Sequence, residues 1–474
     1  MNRTLDIATA TGVTVACVGC GVVAPPDDAF PARCHMATPG DEIDHVMTRR
    51  IDHSRATLAA DDDPNPFVRY RQMFRAWHVA RAAGWSDERY VGLVHRLDRA
   101  VAAVDGHGFR ITPFQRADAL SAVLGSSPDD GVWVKDETGG VAGSHKARHL
   151  MGIMLELLVG ETLDPSLEGR PLAIASCGNA ALAAAVIAHA AGRRLDVFVP
   201  TDADPAILAR LEHLHARIEL VRRPARRHGD PTVRRLLAAV DDGAIPFSCQ
   251  GPLNGLAIEG GETLAFEMAE AIARERMTLD RVIIQVGGGA LASACAQGLA
   301  EARALGVLTS VPHIDTVQTT GGWPLLRAYD RLSADLDGHL AAPGTRVDVT
   351  RSRVRAALDR AAHHRSAYMW PWESEPRSAA HGILDDETYD WLAVVEAMLA
   401  TGGRALVVEE SELLAANELA IRTTGTTADV TGTAGLAGLL HLRRLGAIRS
   451  DERVAVLFTG ARHDRPPGKP DPGP

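Results

Sequence analysis

From about residue 130 onward, short β-branched runs alternate with Ala- and Leu-rich stretches of helix length. The runs predict strands over Val132–Lys135, Leu172–Ala175, Leu195–Val199, Ile218–Val221, Arg281–Val286, Ile314–Gln318, Ala405–Val408 and Val454–Phe458. The stretches between them predict helices over Ala180–Ala191, Ala206–His215, Gly261–Arg274, Leu291–Leu305, Asp386–Ala400, Glu412–Thr423 and Ala434–Leu445. Strand and helix in alternation make βαβ units, so the pattern predicts an α/β protein with mostly parallel sheets. One stretch breaks the rhythm. His339 to Pro376 carries scattered proline, tryptophan and arginine, and is expected to form a long loop or short helices over the mouth of a site.

Composition sets outer bounds. The 474 residues suit two or three folding units. With 46% hydrophobic and 23% charged residues, a soluble globular protein with a large core is expected. A formal charge of −10 and a pI near 6.0 argue against nucleic acid or an anionic membrane as partner. No apolar run reaches membrane-spanning length. Asp6, together with Cys17 and Cys20 inside the apolar stretch Val13 to Val23, argues against an N-terminal export signal. Six cysteines are too few for a disulfide scaffold, which fits a reducing cytoplasm.

Lysine usage is more informative. Arginine supplies almost every cation, and the only lysines are Lys135, Lys146 and Lys469. Guanidinium stays protonated, whereas a desolvated ammonium can give up its proton and attack a carbonyl. A lysine kept against such a bias is therefore a candidate nucleophile. Lys469 lies in a Pro-rich tail expected to be disordered, which leaves Lys135 and Lys146.

In open α/β sheets ligands sit at the carboxyl ends of strands, where glycine-rich turns lead into helices. Three such turns stand out. The first runs from the strand at Val132 through Gly139, Gly140 and Gly143 into a helix opening around Ser144, which puts Lys146 in its first turn. The second is Ser176-Cys177-Gly178-Asn179, whose backbone N–H groups suit a carboxylate and whose Asn179 amide suits a phenolate oxygen; a simple capped helix is the bland alternative. The third, Gly287-Gly288-Gly289-Ala290-Leu291, makes a nest of N–H groups for a phosphate. It lacks the spaced Gly-x-Gly-x-x-Gly pattern, so a nicotinamide dehydrogenase is not favoured.

Taken together and in this order, the turns resemble the fold-type II pyridoxal-phosphate (PLP) enzymes, the tryptophan-synthase-β family in the broad sense, and within it most nearly the threonine synthases. The resemblance runs from about Asn65 to His463. It includes Val197 to Pro200, Ile258 to Glu267, Val317-Gln318 and Val454 to Gly460. It implies two open, mostly parallel twisted sheets flanked by helices, with the active site between a large and a small domain. The expected division is a Cys-containing segment over 1–50, a large PLP-binding domain over 51–164 plus 256–463, a smaller mobile domain over 165–255 and a disordered tail over 464–474. A cytoplasmic homodimer acting on a small L-amino acid is expected.

The resemblance also implies roles. Lys146 would carry PLP as a Schiff base and move the substrate α-proton. Asn179 would bond the cofactor's 3′-oxygen, and Gly287, Gly288, Gly289, Ala290 and Leu291 would cradle its phosphate. Ser176, Cys177, Gly178 and Asn179 would receive the substrate carboxylate, and Thr459 would bond the pyridine nitrogen. A neutral hydroxyl there leaves the ring a weaker electron sink, which suits elimination and replacement at Cβ or Cγ better than transamination.

The chain departs from the threonine synthases at Val141-Ala142-Gly143-Ser144-His145-Lys146, where that group reads Pro-Thr-Gly-Ser-Phe-Lys. The missing threonine bears on recognition of a phosphorylated substrate. His145 is more like tryptophan synthase β chains, where the histidine lies beside the cofactor phosphate; packing under the cofactor is the alternative. Serine/threonine ammonia-lyase therefore stands beside threonine-synthase-like replacement. A PLP-binding carrier or regulator without turnover is the reading from another class, and the full set of lysine, asparagine, glycine nest and threonine weighs against it. Near the N-terminus, Cys17-Val-Gly-Cys20 and Cys34-His35 offer a tetrahedral zinc site, with the fourth ligand from His35 or His45. Free thiols are the alternative. Cys177, Cys249 and Cys295 sit among apolar residues and are expected in the core, and His363-His364 in a solvated loop.

Overall fold

Strands that are apolar on both faces belong in the middle of a sheet covered by helices on both sides. Arg281–Gln285 and Arg453–Phe458 are such strands, buried along nearly their whole length. The computed structural model describes residues 12–38, 40–127, 129–223, 229–337 and 351–462. The tail 464–474 and residues 339–350 of the irregular stretch lie outside these. In chain order the strands are β1 (Val13–Cys17), β2 (Met47–Ile51), β3 (Phe114–Arg116), β4 (Gly131–Asp136), β5 (Leu172–Ala175), β6 (Leu195–Pro200), β7 (Arg217–Val221), β8 (Ile245–Pro246), β9 (Arg281–Gln285), β10 (His313–Thr319), β11 (Ala405–Val408) and β12 (Arg453–Phe458).

Two sheets carry the site. A six-stranded sheet has the order β11-β10-β9-β12-β4-β3, parallel except where β3 meets β4. A four-stranded parallel sheet, β7-β6-β5-β8, uses residues 172 to 246. The architecture is thus the expected pair of mostly parallel sheets flanked by helices. A separate hairpin, β1 with β2, pairs Cys17 with Met47.

The helix Lys146–Gly160 crosses Ala257–Arg274 with their backbones in contact, because Gly152 and Gly260 stand at the crossing. A Cβ at Gly260 would lie 2.0 Å from the Arg148 carbonyl oxygen, so only glycine admits this approach.

Four expectations need correction. The helix expected from Asp386 begins at Trp391, because the residues before it lie across the glycine turn, where Asp390 N–H donates to the Gly288 carbonyl at 2.9 Å. The helix expected to open at Ser144 opens at Lys146; Ser144 is extended and pairs with Gly460. Within the stretch thought irregular, Arg351–His363 is a helix that buries Ala357, Leu358, Ala361 and Ala362 on one side, a helical spacing hidden among arginines. It ends on exposed His363. Cys177 is exposed rather than in the core, since it sits on the turn after β5; Cys249 and Cys295 are buried as expected.

Candidate active site

Because β9, β12 and β4 are adjacent and parallel, the turns that follow them leave the sheet on the same edge. Those turns hold Gly287–Ala290, Thr459 and the segment leading to Lys146. Their meeting is visible in contacts. His145 N–H donates to the Thr459 carbonyl at 3.2 Å, and Ala461 N–H to the Gly143 carbonyl at 2.8 Å. The second sheet contributes through the turn after β5, since a Cβ at Gly460 would lie only 2.6 Å from Asn179 Nδ2.

The two lysines among the described residues have opposite surroundings. Lys135 is wholly buried; its Nζ donates to Thr112 Oγ1 at 2.6 Å and the Thr112 carbonyl at 2.9 Å, and forms an ion pair with Glu267. Arg148 also pairs with Glu267, at 2.5 Å, and with Glu137 at 2.8 Å. Burial pushes the Glu267 carboxyl up, but Arg148 and Lys135 outweigh it and hold it below its usual range. Such a cluster tolerates burial only while every charge is paired. Arg148 stands two residues after Lys146, so the cluster anchors the first turn of that helix. Lys146 is half-buried, and among the described residues its amine has no hydrogen-bond or ion-pair partner.

Around Lys146 stand His145, which the sequence singled out, and His149, Asp385, Asp390 and Gln285, which it did not. His145 and His149 meet edge-to-face at 5.8 Å. Burial, then the nearby Lys146 charge, pushes His145 well below its usual range and His149 down to about 3, so both imidazoles are neutral. Burial raises Asp385 to about 6 and Asp390 to about 7, and the Lys146 charge works against it on both. Asp385 flanks the glycine turn, where a Cβ at Gly287 would lie 2.5 Å from its Oδ2. Gln285, the last residue of β9, is the one polar side chain to follow the apolar run of that strand, and this was the available signal for it. Its Nε2 lies 3.0 and 3.1 Å from the carbonyl oxygens of Gly432 and Leu457, which only accept, so this atom is the amide nitrogen.

Three helices open toward this region: Lys146–Gly160, Asn179–Ala190 and Ala290–Ala304. All begin without a side-chain cap, whereas Ser86 and Asp204 cap helices beginning at Asp87 and Pro205. Uncapped N–H groups at a helix start favour an anion. Ala142, just before Lys146, holds a φ of 55°, a left-handed conformation that costs a non-glycine residue about 1–2 kcal/mol. Among the expected metal ligands, the structure brings Cys17, Cys20 and Cys34 together with His45. His35 is exposed and outside the cluster, because the β1–β2 register carries His45 back to Cys17.

A family profile described as pyridoxal-phosphate dependent enzyme matches residues 107–460. The chain belongs to that family. Among curated members, this PLP-dependent enzyme is 23% identical to the threonine synthase of Methanocaldococcus jannaschii and 24% identical to that of Methanosarcina acetivorans, in each case over 74% of both chains. Its structure is similar to Escherichia coli diaminopropionate ammonia lyase, with a TM-score of 0.57 and 17% identity over 79% of this chain and 89% of that one. It is also similar to a threonine deaminase of Solanum lycopersicum, with a TM-score of 0.55 and 16% identity over 80% and 91%. At these identities the likeness is one of fold.

The residues present fit the family's cofactor. PLP carries a phosphate dianion, an aldehyde and a pyridine nitrogen. The uncapped start of Ala290–Ala304 suits the first, the unpartnered Lys146 amine the second, and the neutral Thr459 hydroxyl the third. No helix among the described residues is long and apolar enough to cross a membrane.

Proposed function

We propose that this PLP-dependent enzyme catalyses elimination or replacement at Cβ or Cγ of an L-amino acid, with Lys146 holding the cofactor and moving the α-proton. The reading rests on one juxtaposition: an unpartnered lysine amine, Lys146, at the start of the helix that follows β4, and an uncharged hydroxyl, Thr459, just past the neighbouring strand β12. Bound PLP supplies an electron-withdrawing ring that lets the α-proton leave. Lys146 Nζ accepts that proton and returns it to the departing group. Thr459 donates to the ring nitrogen without adding charge, so the ring withdraws electrons weakly and expulsion of a leaving group is favoured. Gly287 to Leu291 receive the phosphate, Ser176 to Asn179 the substrate carboxylate, and Asn179 the 3′-oxygen. Neutral His145 packs beneath. The part over 165–255, which carries Asn179, closes on the substrate.

Threonine-synthase-like replacement is the best single reading, supported by the likeness to the two archaeal threonine synthases. One observation favours a second, serine/threonine ammonia-lyase. Where the threonine synthases carry a threonine, this chain has Ala142, buried and with no hydroxyl to offer a phosphorylated side chain. The holoenzyme, offered a γ-phosphorylated amino acid on one hand and serine or threonine on the other, separates them. Release of phosphate and threonine supports replacement, whereas keto acid plus ammonia supports elimination. No spectral change and no product from a full amino-acid panel would overturn both and leave a carrier.

A further inference from the structure

We propose that Cys17, Cys20, Cys34 and His45 bind one zinc ion, and that this ion braces the acidic segment lying across the glycine turn. The four ligand atoms all lie within 4.8 Å of one another. Two of the separations can be compared with a metal site directly: Cys20 Sγ to Cys34 Sγ is 3.6 Å, and Cys17 Sγ to His45 Nδ1 is 3.4 Å. Sulfur ligands about 2.3 Å from a tetrahedral zinc, and nitrogen ligands about 2.0 Å from it, stand roughly 3.8 and 3.5 Å apart. Two of the six edges of such a tetrahedron are thus already near their length, and the other four do not exceed 4.8 Å. No disulfide joins the cysteines.

The backbone is built to hold that geometry. Cys17 ends β1 and enters a tight knuckle, with Gly21 N–H donating to the Cys17 carbonyl at 3.0 Å and Cys17 N–H to the Val22 carbonyl at 2.8 Å. Gly21 takes a φ of 73°, a conformation few other residues adopt. At Gly19 a Cβ would lie 2.4 Å from the Asp44 carbonyl oxygen, so glycine is what lets the knuckle rest against the turn that presents His45. Behind the imidazole, Asp41 Oδ2 stands 3.2 Å from His45 Nε2. An anion on the far side of a ligating histidine strengthens it as a ligand electrostatically, and Asp41 does so here without a hydrogen bond to Nε2. Three thiolates and one neutral imidazole in a closed, largely buried site suit zinc, and three protons leave to solvent when it binds.

The site is tied to the chemistry. Asp44, next to His45, donates its N–H to the Ala362 carbonyl at 2.7 Å, and its Oδ1 accepts from Arg365 Nε at 3.0 Å. Arg365 in turn donates to Glu387 at 2.5 Å. Val46 and Asp390 both crowd Gly251, whose Cβ would lie 3.0 Å from Val46 Cγ1 and 2.1 Å from Asp390 Oδ1. The turn that presents His45 therefore reaches the stretch from Asp385 to Asp390 at Glu387 and at Asp390.

Elemental analysis of the purified holoenzyme is expected to find one zinc per chain, lost in His45→Ala and Cys34→Ser and kept in His35→Ala. Should the variants fail to fold, the wild type suffices: titration with a mercurial is expected to release zinc to an indicator as the three thiols react. Hydrogen exchange over residues 383–390 is expected to speed up on that release while distant segments hold. Protein that is metal-free, that carries iron instead, or that loses zinc in His35→Ala overturns the site. Unchanged exchange over 383–390 after zinc release overturns the brace.

Discussion

Gln285 Nε2 donates to Thr459 Oγ1 at 2.6 Å, joining the last residue of β9 to the first residue past β12. The amide fixes the hydroxyl as an acceptor and leaves its own proton for a ligand. Thr459→Asp would place a carboxylate there and favour a protonated ring nitrogen. We expect it to lose elimination or replacement activity at least about tenfold. Mixed with an amino acid it should also show a new absorbance at longer wavelength. Thr459→Ser should keep the wild-type reaction with a modest loss of rate. Normal turnover and an unchanged spectrum in Thr459→Asp would show that Thr459 faces something else.

The lysines should separate cleanly. Lys146→Ala is expected to lose the pyridoxyl group that borohydride fixes to the wild type. Lys135→Met should keep that adduct but lose about 3–5 kcal/mol of stability, because it leaves a buried carboxylate short of a partner. Peptide mapping reads the first effect and urea unfolding the second. A pyridoxyl group mapped to Lys135 would reverse the assignment.

Asp390 should make the cofactor-free protein less stable as pH rises. Burial lifts its folded value to about 7 from a usual 3.8, so between these values the native state holds a proton that the unfolded chain has lost. Stability then falls as pH climbs from about 4 to about 7 and levels off above. Asp390→Asn removes this penalty and still offers an oxygen to Gly251. The variant should gain on the wild type by up to roughly 4 kcal/mol in mild alkali, the gap closing toward pH 4. Urea unfolding across that range checks it, and a gap independent of pH would point to packing instead.

Gly287 and Gly289 should fail for different reasons. A Cβ at Gly287 meets Asp385 Oδ2 and the Ile383 backbone, so Gly287→Ala displaces the covering segment. At Gly289 the φ of 99° itself excludes a side chain. Both variants should release PLP on dialysis where the wild type keeps it. In Gly287→Ala alone, Asp385→Ser should restore part of the retention by making room; equal rescue in both would contradict this account.

The strands and the three turns were legible because their signals are local: β-branched runs, glycine clusters and a helix start. The rarity of lysine pointed to Lys146, and the same rarity misled at Lys135. There the amine is buried and paired with Thr112 and Glu267, so its place is that of a structural cation in a closed cluster. His35 looked like a ligand because it adjoins Cys34, but the hairpin register decides who meets Cys17, and it selects His45. Asp385 and Asp390 carried no local signal. Their place beside Gly287 and Gly289 comes from packing across about a hundred residues of chain.

The strand order has a consequence for how this protein is made. β12, the last strand among the described residues, inserts between β9 and β4, and so separates strands synthesised long before it. Until it arrives, the centre of the six-stranded sheet is missing, and Gln285, Thr459 and the Lys146 turn have nothing to hold them together. A nascent chain cut short before Arg453 therefore ends without the middle of its sheet, with two apolar edges open. Synthesis must pass Arg453–Phe458 before any chemistry can begin, and a product cut short before that strand betrays itself to quality control as an unfolded one.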